Sequence, residues 1–285
     1  MTAAEDTNKR SQRALLKEYG IRPVKRRGQN FLLDGNLARA IAQDCLSLGD
    51  RVLELGAGGG ALTVHLLDGG ARVTAVEVDR NLCALLRAEF GDRNGFCLLE
   101  ADLSDLDWNL TLAEAGPRPL VAGNLPYVLT STVLFALGRC HAQVAGGLFM
   151  VQKEVADRLT AAPGGRDYGV LSVVLGAVFR LRTVRTVPAS VFWPRPEVTS
   201  AIIELVPGES WDVSLYARFI AVVKALFAHR RKTLATCLRK NHGLDAAVLD
   251  RVFDTAAVAP TARPEQLSPD EFLRLTRALP EGIGT

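Results

Sequence analysis

Between residues 50 and 160, short apolar runs alternate with segments in which apolar residues recur at helical spacing. The runs predicted as strands are Arg51–Leu55, Arg72–Val78, Gly95–Glu100, Leu120–Ala122 and Gly147–Val151. The segments predicted as helices are Ala61–Leu67, Asn81–Glu89, Ser131–Leu137 and Lys153–Leu159. This alternation is typical of βαβ units and predicts a parallel sheet in an α/β domain.

The pattern changes towards the end of the chain. Arg185–Val187 and Ser200–Leu205 are predicted as two more strands, and the proline-rich "PASVFWPRPEVT" between them as irregular. After residue 208 the strand pattern stops and apolar residues follow helical spacing, with a capping box at Ser268–Glu271. We therefore expect a basic arm over residues 1–24, a catalytic domain over 25–208 and a helical domain over 209–285.

Charge is unevenly distributed, although the formal net charge is only +3. Residues 1–30 carry eight Lys or Arg against three acids, and residues 224–244 carry six basic residues and no acid. Basic segments of this kind indicate an anionic polymer as partner, while two solvated helix faces would give the same pattern.

The remaining composition argues against several classes of protein. The five cysteines form no C-x-x-C pair and the four histidines show no ligand spacing, so we expect a reducing cytoplasm and no metal. The N-terminus has no apolar stretch typical of a signal peptide, and the longest nearly apolar run, residues 169–179, is too short to span a bilayer. We expect a cytoplasmic monomer that does not bind membranes.

A glycine-rich turn follows the first strand of the α/β pattern. "VLELGAGGGALT" places Gly56, Gly58 and Gly60 directly after it, where backbone amides can closely approach a ligand. Glu77 ends the next strand, 21 residues after Gly56, and its carboxylate can accept the ribose hydroxyls. The turn and Glu77 together predict a nucleoside cofactor, but the spacing also satisfies the dinucleotide fingerprint and leaves NAD open.

Two further acids favour S-adenosylmethionine. Glu54 places a charged group where dinucleotide turns usually keep an apolar strand residue. Asp102 ends the third strand and could accept from an adenine amino group, or could simply be a helix N-cap.

The stretch Asn124-Leu125-Pro126-Tyr127 ends the strand that begins at Leu120. An exocyclic amine is a poor nucleophile, and two acceptors aimed at its N–H bonds would favour attack on a methyl donor. The Asn124 oxygen could be one acceptor and the carbonyl of Leu125 or Pro126 the other, with Tyr127 stacked on the base. The alternative is a proline-induced loop with an incidental asparagine.

At these residues the chain resembles the ribosomal RNA adenine N6,N6-dimethyltransferases, whose target-amine motif is N-L-P-Y. Further matches occur in the family's order in "KRRGQNFLLD", "QKEVADRLTAAPGGRDYGVLSV", "VPASVFWPRPEVTSAI" and "FAHRRKTL". The resemblance implies a seven-stranded, Rossmann-like S-adenosylmethionine-dependent methyltransferase domain and a helical C-terminal domain. It implies dimethylation of two adjacent adenosines in a hairpin loop near the 3′ end of small-subunit rRNA, late in assembly of the subunit within a pre-30S particle.

The resemblance also assigns residues. The expected cofactor contacts are Gln29, Asn30, Leu32, Gly56, Gly58, Glu77, Asp102 and Asn124. The expected RNA contacts are Arg26, Arg27, Arg230, Arg231 and Lys232. Phe192 keeps the family aromatic and is expected to stack on the target adenine, unless it anchors its loop in the core. Glu197 and Thr199 stand where the family often has lysine and aspartate, which affects local RNA contacts rather than the chemistry.

We expect Arg230, Arg231 and Lys232 to bind phosphate for a reason independent of the resemblance. Three consecutive cations would spread around a helix and cannot all pair with one acid. The alternative is a solvated helix end whose cations favour the helix dipole.

Three other functions remain open. A large-subunit rRNA methyltransferase of the macrolide-resistance type would share the fold. An NAD-dependent oxidoreductase would leave Asn124–Tyr127 unexplained. A non-catalytic assembly factor would use the fold only to bind RNA.

Overall fold

The structure is a computed structural model that describes residues 11–24, 28–208 and 212–283. Its strands are β1 (Phe31–Leu32), β2 (Arg51–Leu55), β3 (Arg72–Glu77), β4 (Phe96–Glu100), β5 (Leu120–Asn124), β6 (Gly146–Gln152), β7 (Phe179–Val187), β8 (Phe192–Trp193) and β9 (Ser200–Pro207). Its α-helices are α1 (Gln12–Glu18), α2 (Gly35–Leu46), α3 (Thr63–Asp68), α4 (Arg80–Phe90), α5 (Trp108–Ala115), α6 (Thr130–Arg139), α7 (Lys153–Leu159), α8 (Val170–Gly176), α9 (Tyr216–Phe227), α10 (Leu234–His242), α11 (Ala246–Ala256) and α12 (Pro269–Ala278). Short 3-10 helices lie at His141–Gln143, Ala189–Val191, Val213–Leu215 and Pro264–Gln266.

Seven strands of the described chain form one sheet, in the order β4-β3-β2-β5-β6-β9-β7. The four pairs from β4 to β6 are parallel. Glu54 of β2 lies between Ala75 and Ala122, and Glu77 at the end of β3 lies beside Glu100. Because these strands are parallel, the residues that follow them meet at one edge of the sheet.

The predicted α/β sheet is confirmed. Every strand and helix predicted between residues 50 and 160 is present, with its ends within two residues of the prediction. The sequence analysis missed α2, although Asp34 is an ordinary N-cap whose carboxylate accepts from Leu37 N at 2.9 Å. It also missed α1, α5 and α8.

Two predictions at the end of the α/β region were wrong. β7 begins at Phe179 rather than Arg185, because exposed arginines alternate along its first half and hide the apolar pattern. The proline-rich segment contains β8, which pairs antiparallel with β1 through Phe31↔Trp193 and Leu32↔Phe192. That pairing involves residues about 160 positions apart, which local sequence does not reveal.

The described chain divides into two compact units. The first contains residues up to 133, 142–153 and 183–204, and the second contains 134–141, 154–182 and the residues from 205 onwards. The helical segment expected from residue 209 lies in the second unit, which also includes residues 134–141, 154–182 and 205–208 of the expected catalytic domain.

In the first unit, the central strands are buried and helices cover them. Leu66 of α3 and Ile41 of α2 belong to one core cluster with Val52 and Val73. The described part of the expected arm is also packed there. Leu15 and Leu16 of α1 lie in a second buried cluster with residues of β1 and α4.

The second unit is held by aromatic packing and helix caps. The rings of Phe227 and Phe272 stack at 5.7 Å, and the Tyr168 hydroxyl donates to the carbonyl of Leu267 at 2.7 Å. The predicted capping box is confirmed, since Glu271 N donates to Ser268 Oγ and Ser268 N to the Glu271 carboxylate. Within the described ranges, the helices lack the length and hydropathy that a membrane span requires.

Candidate active site

The glycine-rich turn after β2 has the backbone shape expected of a ligand-binding turn. Gly56, Gly58 and Gly60 all have positive φ, which favours glycine. A Cβ added at Gly56 would meet no protein atom within 4 Å, whereas one at Gly60 would lie 2.4 Å from the Phe90 ring. Gly56 therefore borders open space, and Gly60 is needed for close packing on α4.

Glu77 joins the end of β3 to this turn. Its Oε2 accepts from Gly58 N at 2.9 Å, and its Oε1 accepts from Val78 N and Asp79 N at 2.9 and 3.0 Å. Burial raises the pKa of the Glu77 carboxyl, while these three N–H groups act in the opposite direction. A carboxylate offers about four acceptor positions, so roughly one remains for a ligand hydroxyl in this arrangement rather than the two that the sequence suggested.

Glu54 is a second buried carboxyl facing the same space. Its side chain is 3% exposed, and its Oε2 accepts from the Thr63 hydroxyl at 2.6 Å. Burial raises the pKa of Glu54 to about 8. The carboxyl is therefore mostly protonated at neutral pH in this structure.

Asp102 follows β4 and shapes the next loop. Its Oδ1 accepts from both the backbone N–H and the hydroxyl of Ser104, at 2.9 and 2.6 Å. It does not cap a helix, because Asp107 is the N-cap of α5. The N-cap alternative for Asp102 is thus wrong, although part of its acceptor capacity is used locally.

Asn124 is the last residue of β5, and its amide orientation is fixed by a neighbouring backbone. Its Nδ2 donates to the carbonyl of Asn30 at 2.8 Å, so Oδ1 is the acceptor at the other end of the amide. The Asn30 side chain in turn donates to the Gly28 carbonyl at 3.2 Å.

The residues after Asn124 leave one backbone carbonyl as the better second acceptor. The carbonyl of Pro126 already accepts from Leu129 N at 2.9 Å and from the Thr130 hydroxyl at 3.4 Å, which starts the turn into α6. Of the two carbonyls expected to face a target amine, that of Leu125 is therefore favoured. The Tyr127 hydroxyl bonds Ser200 Oγ at 3.0 Å, which fixes the position of the ring.

These features surround one cleft of about 320 Å³ within the first unit. The predicted residues that line it are Gln29, Asn30, Leu32, Gly56, Gly58, Glu77, Asp102, Asn124, Leu125, Pro126 and Tyr127. Open space at Gly56, acceptors for hydroxyl and amino groups, and an apolar floor that includes Met150 fit an adenosine-containing cofactor.

Phe192 is the predicted contact that the structure does not bring to the cleft. Phe192 is 4% exposed, belongs to the core cluster of the first unit and is absent from the lining of the cleft. It lies in the same buried cluster as its strand partner Leu32, which does line the cleft. This position fits the loop-anchor alternative, and stacking on the target adenine stays a prediction.

The sequence analysis also missed residues that line the cleft. Val78 directly follows Glu77, so the carboxyl end of β3 was a signal that could have identified it. Gln12 lies far away along the chain, and no local signal marked it.

Three of the five basic residues predicted to contact RNA lie among the described residues. Arg26 and Arg27 lie outside the described residues. Arg230, Arg231 and Lys232 lie in a turn between α9 and α10 and not on a helix. Arg230 pairs with Glu265 and donates to the Gly165 carbonyl at 3.0 Å, whereas Arg231 and Lys232 are exposed. One of the three cations therefore has an intramolecular acid, as Arg230 pairs with Glu265, and the expected phosphate contact of Arg231 and Lys232 stays a prediction.

Comparisons with known proteins agree with this site. Residues 23–280 match the family described as ribosomal RNA adenine dimethylase. The chain is 44% identical to ribosomal RNA small subunit methyltransferase A of Anaeromyxobacter sp. (strain K), over 94% of this chain and 98% of that protein. It is 42% identical to the protein of that name from Myxococcus xanthus (strain DK1622), over 94% and 95%.

Solved structures show the same fold. A dimethyladenosine transferase from Plasmodium falciparum superposes with a TM-score of 0.71 at 23% identity, covering 85% of this chain and 94% of the other. The 23S rRNA methyltransferase ErmE gives a TM-score of 0.63 at 25% identity, covering 87% and 99%.

The sheet, the turn and the cleft define a methyltransferase of the Rossmann-like class that uses S-adenosylmethionine. Within that class, the chain belongs to the ribosomal RNA adenine dimethylase family. This assignment removes the NAD alternative that glycine spacing alone had left open.

Proposed function

We propose that this enzyme methylates the N6 amines of two adjacent adenosines in a hairpin loop near the 3′ end of small-subunit (16S) rRNA. The product is N6,N6-dimethyladenosine, formed late in assembly of the subunit. The observation that carries the proposal is the position of Asn124 and Leu125 beside a cleft that also contains Glu77 and Asp102. The names of its relatives, which specify the small ribosomal subunit, support this choice of RNA.

The cleft would hold the cofactor through a few polar groups. When bound, S-adenosylmethionine supplies a methyl group on a positively charged sulfur. Glu77 would accept a ribose hydroxyl, and Asp102 would accept from the adenine amine. The backbone at Gly56 allows close approach because no side chain fills that space.

Asn124 and Leu125 would activate the target amine by orienting it. The Oδ1 of Asn124 and the carbonyl of Leu125 would accept the two N–H bonds, which favours the pyramidal amine with its lone pair exposed. The bond from Nδ2 to Asn30 holds the amide in this orientation. The positive charge that develops on nitrogen is then met by two oxygen dipoles already in place, and N6 releases one proton to solvent. In the second transfer N6 carries one N–H, so one of the two oxygens accepts it.

Tyr127 would stack on the adenine after it leaves its own stack in the RNA. Its hydroxyl is held by Ser200, so the ring is positioned before RNA binds. Preorganisation of this kind reduces the ordering that binding must pay for.

We further infer that the substrate is rRNA within a pre-30S particle, bound by a monomer in the cytoplasm. The exposed Arg231 and Lys232 would contact phosphate. A purely non-catalytic assembly role is disfavoured because the proposed cofactor groups and the amine-orienting groups share one cleft.

The deciding experiment uses ribosomal subunits from cells that lack this gene. Purified enzyme and cofactor are incubated with 30S and with 50S particles, and RNase fragments are analysed by mass spectrometry. We expect two adjacent dimethyladenosines in 16S rRNA alone. Methylation of 23S rRNA alone would support the large-subunit alternative, and RNA binding without methylation would support the assembly factor.

A further inference from the structure

Gln12, the first residue of α1, has a buried side-chain nitrogen that nothing described satisfies. Its Nε2 is shielded from solvent and has no hydrogen-bond partner among the described residues. Nearly all buried donors in folded proteins find an acceptor, so an unmet one calls for a partner from outside the described chain. Gln12 also lines the cleft, which identifies where such a partner would lie.

The glycine-rich turn is shaped around this amide. A Cβ added at Gly59 would lie 2.2 Å from Nε2 of Gln12 and 2.9 Å from Cδ2 of Leu16. Glycine at this position therefore lets the amide rest directly on the backbone of the turn.

Packing fixes the helix that carries Gln12. The Tyr19 hydroxyl donates to the Glu89 carboxylate at 3.0 Å, and the guanidinium of Arg13 lies 5.9 Å from the centre of the Trp193 ring. Leu16 is fully buried. The helix is consequently positioned before any ligand arrives, and a small turn of the Gln12 side chain exposes its shielded Nε2 to the cleft.

The chemistry of the cleft indicates which ligand group the amide meets. Glu77 and Asp102 are acceptors suited to the hydroxyl and amine donors of a nucleoside, and they would repel an anion. The amino-acid part of S-adenosylmethionine ends in a carboxylate, which needs donors. Gln12 places a donor against Gly59 of the turn that follows β2, next to Gly58, whose backbone N–H already donates to the Glu77 carboxylate.

We propose that Nε2 of Gln12 donates a hydrogen bond to the carboxylate of the bound cofactor. The inference rests on the proposed function, because it assumes that S-adenosylmethionine occupies the cleft.

Calorimetric titration with two ligands tests this contact without any turnover. S-adenosylhomocysteine has the carboxylate, and 5′-methylthioadenosine lacks the whole amino-acid part. Gln12→Ala should weaken the affinity for S-adenosylhomocysteine by roughly tenfold or more, the range expected for a lost hydrogen bond to a charged group. Its affinity for 5′-methylthioadenosine should not change.

Two further variants separate the hydrogen bond from packing. Gln12→Met keeps the length of the side chain without its donor and should reproduce the loss. Gln12→Glu should weaken the affinity for S-adenosylhomocysteine further, because two carboxylates would then face each other. Gln43→Ala, at an exposed position of α2 in the same unit, is the matched control and should bind both ligands as the wild type does.

Two results would overturn the proposal. One is unchanged affinity of Gln12→Ala and Gln12→Met for S-adenosylhomocysteine. The other is an equal loss for both ligands, which would place the contact on the nucleoside. Either could occur in an enzyme that still methylates 30S particles, so the proposed function would stand. Wild-type protein that bound neither ligand would refute both.

Discussion

The free energy of unfolding should fall as the pH rises from 5 to 8, and replacing Glu54 with glutamine should remove most of that fall. Burial raises the pKa of the Glu54 carboxyl from 4.5 to about 8, so between these values the folded state keeps a proton that the unfolded state has released. Stability must then fall as the pH rises through that window. A pKa change of this size corresponds to about 5 kcal/mol in total, at about 1.4 kcal/mol for each pH unit.

Glutamine is a suitable replacement because it keeps an acceptor for the Thr63 hydroxyl, which donates to Glu54 at 2.6 Å, but carries no titratable proton. The free energy of unfolding would be measured by urea denaturation at pH 5, 6, 7 and 8. The wild type should lose about 1.4 kcal/mol per pH unit relative to Glu54→Gln.

The control is Glu114→Gln, which removes an exposed carboxyl of α5 and should keep the wild-type slope. Parallel stability curves for the wild type and Glu54→Gln would show that Glu54 is ionised in the folded protein at neutral pH. Glu54 would then not be the neutral buried carboxyl that its raised pKa implies.

Three other variants address the cleft and the RNA surface. Glu77→Ala should weaken S-adenosylmethionine by roughly tenfold or more and lower the thermal midpoint, because three backbone N–H groups also lose their acceptor; unchanged calorimetric affinity would exclude Glu77 from the site. Asn124→Ala should slow methyl transfer by roughly 10²–10³ at saturating cofactor, and a near wild-type rate there would refute the amine-orienting role. Replacing both Arg231 and Lys232 with alanine should reduce the salt slope of RNA binding by about 1.5, since each lost phosphate contact removes roughly 0.7–0.9. Arg230→Ala should mainly lower the thermal midpoint, because Arg230 pairs within its own unit, and equal salt slopes for the double variant and the wild type would show that the turn does not meet phosphate.

Local sequence was enough to predict strands β2 to β6 and the part of the cleft that follows them. The cleft residues Gln29, Asn30 and Leu32 came instead from the family resemblance. Glu77 and Asn124 each end a strand, and Asp102 follows β4. Because the ends of parallel strands converge, the meeting of these residues follows from the alternation of strands and helices. Their detailed bonding does not follow from it. Loop geometry decides these bonds. It brings three backbone N–H groups to Glu77, and it makes the Pro126 carbonyl accept from Leu129 N.

The errors share a different cause, which is contact between distant segments. Phe192 was expected to face the substrate, but it lies in the same buried cluster as its strand partner Leu32. Gln12 was not recognised because its role depends on α1 packing against a turn more than 40 residues later. Arg230 was expected to bind phosphate from a helix, but it lies in a turn where Glu265 pairs with it. Periodicity carries no information about such pairings.

The pairing of β1 with β8 has a consequence for how this protein is made. One wall of the cleft includes Leu32, whose strand partner Phe192 is synthesised about 160 residues later. At typical elongation rates of about 5–20 residues per second, that interval lasts roughly 8–32 seconds. A nascent chain can build the glycine-rich turn and the first strands during this time, but it cannot close that wall. The described lining of the cleft is therefore complete only once residue 202, which also lines it, has left the ribosome that is making the chain.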